Sequence, residues 1–241
     1  MTDGRWRELA PRAVLLDGFH ALKHALRFGA EIPLAVAADK AAALDLARRL
    51  APDLTEPLAA LLTETGVDGL RRVVPRPHPT GVAALAVPAP RPPAATGRTA
   101  PVVLLDNPRH LGNIGAVIRL AAGMAAAGVI TTGTADPWHP TVLRAAAGLH
   151  FALPVSRADL ASPPTGPLYA LDPAGRDIAA VRPAPGAVLA FGSERAGLSD
   201  EVKARAAELI SLPMRPGVSS YNLATSVAMT LYHWRAGAVA G

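Results

Sequence analysis

The chain is predicted to be an α/β protein, with a mostly parallel C-terminal sheet preceded by a smaller α/β domain. Three observations carry this. Short apolar runs alternate with helical, amphipathic stretches along the whole chain, the rhythm of strands joined by helices. In the second half the strand-like runs, PVVLLD and GAVLAFG among them, are almost wholly apolar, as strands covered on both faces must be. Between the halves, VPAPRPPAATGRTAP (residues 87–101) is too rich in proline and small residues to carry a helix or strand. The predicted division is a domain at 1–90, a linker at 91–99 and a domain at 100–241.

Each element follows from its local pattern. In the first half, GFHALKHALRFG has helical apolar spacing, IPLAVAA reads as a strand, KAAALDLARRLA as a second helix, and VDGLRRVV and GVAALAV as further strands. In the second, PVVLLD is a strand and NIGAVIRLAAGMAAAG a helix that stops at its last glycine. VITTG (strand), PTVLRAAAG (helix), PLYALD and GAVLAFG (strands), SDEVKARAA (helix), LISLPM (strand) and NLATSVAMTLYHWRAGA (helix) complete it. In such sheets ligands bind where loops gather at the carboxyl ends of the strands.

Half of the 241 residues are hydrophobic but 4% are aromatic, so Ala, Val and Leu do most of the packing. The absence of cysteine excludes disulfides, thiolate catalysis and cysteine-ligated zinc. The formal charge is +5, and the basic residues are nearly all Arg, with Lys at 23, 40 and 203 only. Arginine pairs with phosphate bidentately, so the balance is compatible with nucleic acid, and equally with a compositional bias that also favours Ala and Pro. No charge-free run approaches a membrane span, and MTDGRWRELAPR has no apolar signal core. A cytoplasmic protein with no membrane partner is expected.

Three loops hold most of the polar chemistry. In DNPRHLGNIGAVIRLAAG (106–123), Asn113 is placed to cap a helix, Gly112 and Gly115 permit close backbone approach, and Arg119 interrupts an apolar run. The glycine spacing is not the dinucleotide fingerprint, which disfavours an oxidoreductase, and no P-loop lysine is present. In FGSERAGLSDEV (191–202), glycines flank Glu194 directly after a strand and Ser199 opens a helix; this is not the glycine-flanked serine of a hydrolase. In LPMRPGVSSYNLATSVAMTLYHW (212–234), Ser219, Ser220 and Asn222 crowd a helix entrance where one capping residue, Ser220 or Asn222, would suffice. His20 and His24 lie four apart on one helix without an acidic partner in a zinc pattern, and His110, His139 and His150 are scattered.

The three loops, in this order, resemble the motifs of the SpoU, or TrmH-like, family of RNA ribose methyltransferases of the SPOUT superfamily. NPRHLGNIGAVIRLAAGMAAAGV matches the first motif, LAFGSERAGLS the second and LPMRPGVSSYNLATSVAMTLY the third; DPWHPTVLRAAAGLHFALPV is similar to the segment between the first two. Ser193 stands where Asn or Pro is frequent, and Tyr221 where Leu or Met is more usual. The resemblance implies a deep trefoil knot in the C-terminal domain, S-adenosylmethionine as cofactor and methyl transfer to a ribose 2′-hydroxyl of rRNA or tRNA. By the same resemblance the catalytic set is Asn113, Arg119, Glu194, Ser220 and Asn222. The cofactor would be lined by Leu171, Gly192, Leu212, Ser220, Tyr221 and Leu223, with Ile210 and Met214 as further apolar walls. Arg119 holds its proton at any ordinary pH, so a phosphate clamp and alkoxide stabiliser is a sounder role for it than a base.

The first half resembles the family's ribosomal-protein-like substrate domain through DGFHALKHALRFGAEI and HPTGVAALAV. Its candidate RNA contacts are Lys23, His24, Arg27, Arg48, Arg49, Arg71 and Arg72. The implied partners are RNA, not DNA, and a second copy of the chain, with Ile118, Leu120, Val227 and Leu231 partly buried between protomers. A non-catalytic RNA-binding protein of the same fold is the alternative, disfavoured because a binder has no need of all five catalytic-set residues.

Overall fold

The computed structural model describes residues 2–159 and 164–239 and divides the chain into two compact units, Met1–Ala89 with Trp138–Ala152, and Pro90–Pro137 with Leu153–Gly241. Trp138–Ala152, read with the second half in sequence, thus clusters with the first unit.

The first unit contains α1 (Thr2–Leu9), β1 (Val14–Asp17), α2 (Phe19–Arg27), β2 (Leu34–Ala37), α3 (Lys40–Leu50), α4 (Thr55–Leu61), β3 (Leu62–Glu64), α5 (Gly66–Val73) and β4 (Val82–Ala86). Its sheet has the order β1-β4-β2-β3, with β4 antiparallel to both neighbours and β2 parallel to β3. VDGLRRVV, expected as a strand, is helix α5. Leu70, Val73 and Val74 recur at helical spacing and pack with Trp6, Leu34, Val36 and Leu85, while Arg71 and Arg72 face solvent. α3 starts on Asp39, whose carboxylate accepts from the Ala42 amide at 2.9 Å. The returning segment carries α7 (Pro140–Ala145; α6 is given below). Val142, Leu143 and Ala146 are wholly buried, α7 packs on β1, and the turn after it packs on α2. Arg144 pairs with the buried Asp17, and the Ala147 carbonyl accepts from His24 Nδ1 at 2.8 Å.

The second unit contains β5 (Val102–Leu105), α6 (Leu111–Gly123), β6 (Gly128–Thr131), β7 (Val155–Arg157), β8 (Leu168–Asp177), β9 (Val188–Phe191), α8 (Asp200–Arg205), β10 (Glu208–Ser211) and α9 (Leu223–Val239). Its six strands, ordered β10-β8-β9-β5-β6-β7, pair in parallel throughout. On one face Val102, Leu104, Ile130, Leu168, Ala170, Val188 and Ala190 pack with Val202 of α8; the alternate residues of β5 and β9 are equally buried, so the sheet is covered on both sides.

Three details differ from expectation. Helix α6 ends at Gly123, not Gly128: Ala125 takes the left-handed conformation (φ 56°) and the Ala126 amide reaches back to the Ala121 carbonyl at 2.9 Å, freeing Gly128 for β6. Strand β8 pairs with β10 at Ala170↔Leu209 and resumes at Arg176↔Ile210, so residues 171–175 of β8 are inserted between two pairs that are adjacent on β10. Third, α6 packs on α9, and Ile118, Val227 and Leu231 are wholly buried within this unit, with Leu120 half-buried. The first three are therefore core residues and not a face left open for a second protomer.

Candidate functional site

A cavity of about 840 Å³ opens at the carboxyl ends of β9 and β10, beside residues 171–173 of β8. Its apolar walls are Leu171, Phe191, Ile210, Leu212, Met214 and Leu223; Glu194, Ser219, Ser220, Tyr221 and Asn222 bring polar groups to it. The volume suits a ligand of cofactor size. Gly192, at the end of β9, admits no side chain: a Cβ there would overlap the Gly197 carbonyl and Leu198 amide, against which the chain folds back. Ser193 and Gly197 close that loop with reciprocal backbone bonds of 2.9 and 3.0 Å, and Ser199 then caps α8 through the Val202 amide at 3.4 Å.

At the cavity's polar end the loops are joined by side-chain hydrogen bonds. Asn113 Nδ2 donates to Glu194 Oε1 at 2.7 Å, and the Arg109 amide donates to Oε2 at 3.3 Å. Asn222 Nδ2 donates to Asn113 Oδ1 at 3.2 Å, while Asn222 Oδ1 accepts from the Ala224 and Thr225 amides at 2.9 and 3.4 Å. Asn222 therefore caps α9 and positions Asn113 at once, and it, not Ser220, is the cap. Asn113 does not cap α6: it lies inside the helix, with His110 at the cap position, and spends its amide on Glu194 and Asn222. Burial pushes the Glu194 carboxyl up, but hydrogen bonds from Asn113, its own amide and the Arg109 amide outweigh this and hold it below the usual carboxylate range. Glu194 is an ionised anchor for Asn113, with both oxygens engaged.

All six residues expected to line a cofactor border this cavity, as do Ile210 and Met214, and of the catalytic set Asn113, Glu194, Ser220 and Asn222 do as well. Arg119 does not. It is exposed on α6, two thirds of the way along the helix from its start at Leu111, and makes no hydrogen bond or ion pair among the described residues. The candidate RNA contacts fall on three helices. Arg27 of α2 is paired with Asp53 at 2.6 Å, Arg48 of α3 with Asp45, and Arg72 of α5 with Asp3 at 2.7 Å; Arg49 reaches the Asp45 carbonyl at 3.4 Å, Lys23 is half-buried, and Arg71 is exposed. His139 accepts from the Thr141 amide to cap α7, and His150 is buried against the Trp138 ring.

Sequence reasoning missed the 171–175 insertion in β8. There Asp172 pairs with Lys203 of α8 at 2.7 Å, both border the cavity, and the pairing holds the Asp172 carboxyl below the usual range. The signal was present in the turn-forming D-P-A-G that follows the apolar run of β8. Also missed was Asp106, a buried carboxylate that accepts from the Ser199 amide at 2.7 Å and the Thr132 hydroxyl at 3.0 Å, tying β5, β6 and the head of α8 together.

Comparison with known proteins gives a consistent result. Residues 100–232 match the SpoU rRNA Methylase family. The chain is 32% identical over 146 residues to a 23S rRNA (adenosine(1067)-2′-O)-methyltransferase of Streptomyces laurentii, covering 54% of this chain and 52% of that protein. It is 31% identical over 147 residues to a 23S rRNA (uridine(2479)-2′-O)-methyltransferase of Streptomyces viridochromogenes, covering 54% and 50%. The matched region spans about half the length of these relatives. Among solved structures, the AdoMet-bound rRNA methyltransferase of Sinorhizobium meliloti superposes with a TM-score of 0.80 at 24% identity, over 98% of this chain and 94% of that one. This likeness shows the shared α/β fold across both units' sequence.

Proposed function

The chain belongs to the SpoU rRNA Methylase family, and on that premise we propose that it transfers a methyl group from S-adenosylmethionine to a ribose 2′-hydroxyl of RNA. The observation that carries this reading is the hydrogen-bonded chain Glu194–Asn113–Asn222 at the polar end of a cavity whose other walls are apolar. The two Streptomyces relatives, named for 23S rRNA, favour ribosomal RNA over transfer RNA as the substrate.

The cavity fits the cofactor on its own chemistry: six apolar side chains for an adenine and thioether, and the Ser219 and Ser220 hydroxyls with the Lys203-paired Asp172 carboxylate for polar groups. When bound, S-adenosylmethionine supplies a methyl made electrophilic by its sulfonium. Leu171, Leu212, Tyr221 and Leu223 would hold it and exclude water. Glu194 fixes the Asn113 side chain and Asn222 fixes it from the other side, so that Asn113 is oriented before substrate arrives. Ser220 supplies a hydroxyl beside them. Arg119, uncommitted and outside the cavity, is free to meet the RNA: a phosphate first, and the negative charge that grows on the ribose oxygen as it attacks.

Three further parts belong to this reading. The close passage of the Gly192–Leu198 loop, with the 212–222 loop bordering the same cavity, supports a trefoil knot there. The first unit, with cationic side chains on α2, α3 and α5, is the RNA-binding module. A homodimer is retained, using exposed surface such as Tyr232 of α9 and not the buried Ile118, Val227 and Leu231. Incubation of the full chain with methyl-labelled cofactor and unmodified ribosomal RNA tests the activity. Label should appear in alkali-resistant dinucleotides, since a 2′-O-methyl removes the hydroxyl that alkali uses for cleavage; label confined to bases would refute ribose transfer.

A further inference from the structure

A second cavity, also about 840 Å³, lies at the carboxyl ends of β5, β6 and β7 and is bordered by Asn107, Arg109, Thr132, Gly133, Thr134 and Arg157. It is separate from the cofactor cavity but joined to it by one residue. The Arg109 amide holds Glu194, and its neighbour His110 borders the first cavity, while Arg109 itself borders the second.

Its floor is rigid. Asp106, buried, accepts from the Thr132 hydroxyl, and that hydroxyl oxygen in turn accepts from the Asn107 amide at 2.8 Å. Asn107 adopts φ 49° and Gly133 φ 75°, and a Cβ on Gly133 would overlap the Asn107 side chain, so the two loops are fitted to each other. The charges at its rim are unequal in availability. Glu201 is engaged by Arg205 at 2.9 Å, and Asp159 also has a partner. The Arg109 and Arg157 side chains are exposed and make no hydrogen bond or ion pair among the described residues. What the cavity offers a ligand is therefore two free guanidinium forks over a floor of amide and hydroxyl groups.

We propose that this second cavity is a subsite for the sugar-phosphate backbone of the RNA beside its methylated nucleotide, with Arg109 and Arg157 as its phosphate ligands. The inference rests on the methyl-transfer reading and deepens it by naming the substrate's path past the cofactor. Guanidinium forks match phosphate oxygens bidentately, and the Asn107 and Thr134 side chains suit ribose hydroxyls or base edges. The linkage through Arg109 gives the subsite a consequence at the reacting centre: RNA held by its side chain is held by the residue whose amide anchors Glu194.

The test uses the full chain and Arg109→Ala, Arg157→Ala and the double variant. Affinity for a labelled single-stranded oligoribonucleotide of mixed sequence is measured against salt, with the cofactor's affinity and the melting temperature measured in parallel. Each single variant is expected to lose roughly tenfold in RNA affinity and about 0.7 in the slope of log affinity against log salt, per phosphate contact removed, with cofactor affinity unchanged. Wild-type affinity and slope in the double variant would overturn the subsite. Shallower slopes alongside a wild-type protein that never methylates RNA would uphold the subsite and remove the reaction. Unchanged slopes in a protein that does methylate would do the reverse.

Discussion

At the scale of single residues, the site separates side chains that are committed from side chains that are free. Glu194 has both oxygens engaged and stays ionised, which makes it an anchor and a poor proton acceptor. Arg119 is the opposite case: exposed, without a partner, and outside the cofactor cavity. Arg119→Ala is therefore expected to leave cofactor affinity nearly unchanged while single-turnover methylation falls by roughly 10²–10³-fold, the loss typical of one positioned electrostatic donor. Arg119→Lys should rescue poorly, because the ammonium keeps the charge without the planar fork. Calorimetric titration with the cofactor, paired with single-turnover rates, separates the two effects; a full methylation rate in Arg119→Ala would end this assignment. The type and number of the site's polar residues were legible in the sequence. Their partnerships were not, because the bonds from Asn113 to Glu194 and to Asn222 join residues 81 and 109 positions apart.

Secondary-structure elements show what local patterning can and cannot convey. The parallel strands were readable because a run such as VVLL, buried on both faces, carries no polar residue. Helix α5 was misread because VDGLRRVV contains adjacent valines that suit a strand, whereas Leu70, Val73 and Val74 sit on one helical stripe and the two arginines fall opposite. The insertion at 171–175 showed in sequence only as the turn-forming D-P-A-G, because a break in strand register is a property of the pair β8–β10, not of either strand. Asn222 joins an element to the site, and substitution can divide its two duties. Asn222→Asp keeps an oxygen for the Ala224 and Thr225 amides but loses the donor to Asn113. Its melting temperature should match the wild type while methylation drops. Asn222→Ala should lose methylation and also about 1 kcal/mol of stability as the α9 cap disappears. Equal activity in Asn222→Asp and wild type would show that the bond to Asn113 is dispensable.

Helix α2 carries a pH dependence of its own. Burial, together with the nearby Lys23, His20 and Arg27, lowers the His24 pKa from its ordinary value, against the opposing hydrogen bond to the Ala147 carbonyl. The folded chain thus binds fewer protons than the unfolded chain just below the ordinary histidine pKa of about 6.5. The stability contributed by neutral His24 is present in full above that value and is lost as pH falls through the lowered folded pKa. Melting temperature should decline as pH falls below about 6.5 in the wild type and more gently in His24→Gln, which keeps a donor for Ala147. Identical pH profiles would show that His24 does not titrate with folding.

For the whole molecule, the division into units decides how the chain can be cut. A linker at 91–99 suggested two pieces joined once, and it carries no helix or strand, although Arg98 fastens its end to the Gly186 carbonyl at 2.7 Å. The chain in fact passes between the units three times, at 89/90, 137/138 and 152/153. The extra pair of crossings follows from α7: Val142, Leu143 and Ala146 are wholly buried, α7 packs on β1, and Arg144 pairs with Asp17. Removing residues 1–90 would strip that cover from α7. Exposing one Val and one Leu costs about 1.5–3 kcal/mol each and leaves an apolar helix in solvent. The truncated chain is therefore expected to aggregate, even though every residue bordering the cofactor cavity lies beyond position 100. Adding Val142→Thr and Leu143→Gln to the truncated chain should restore a soluble species that binds S-adenosylmethionine with wild-type affinity but binds RNA weakly. Size-exclusion chromatography and cofactor titration of both truncated forms decide the matter. A soluble, cofactor-binding chain without the two substitutions would show that α7 needs no cover from the first unit.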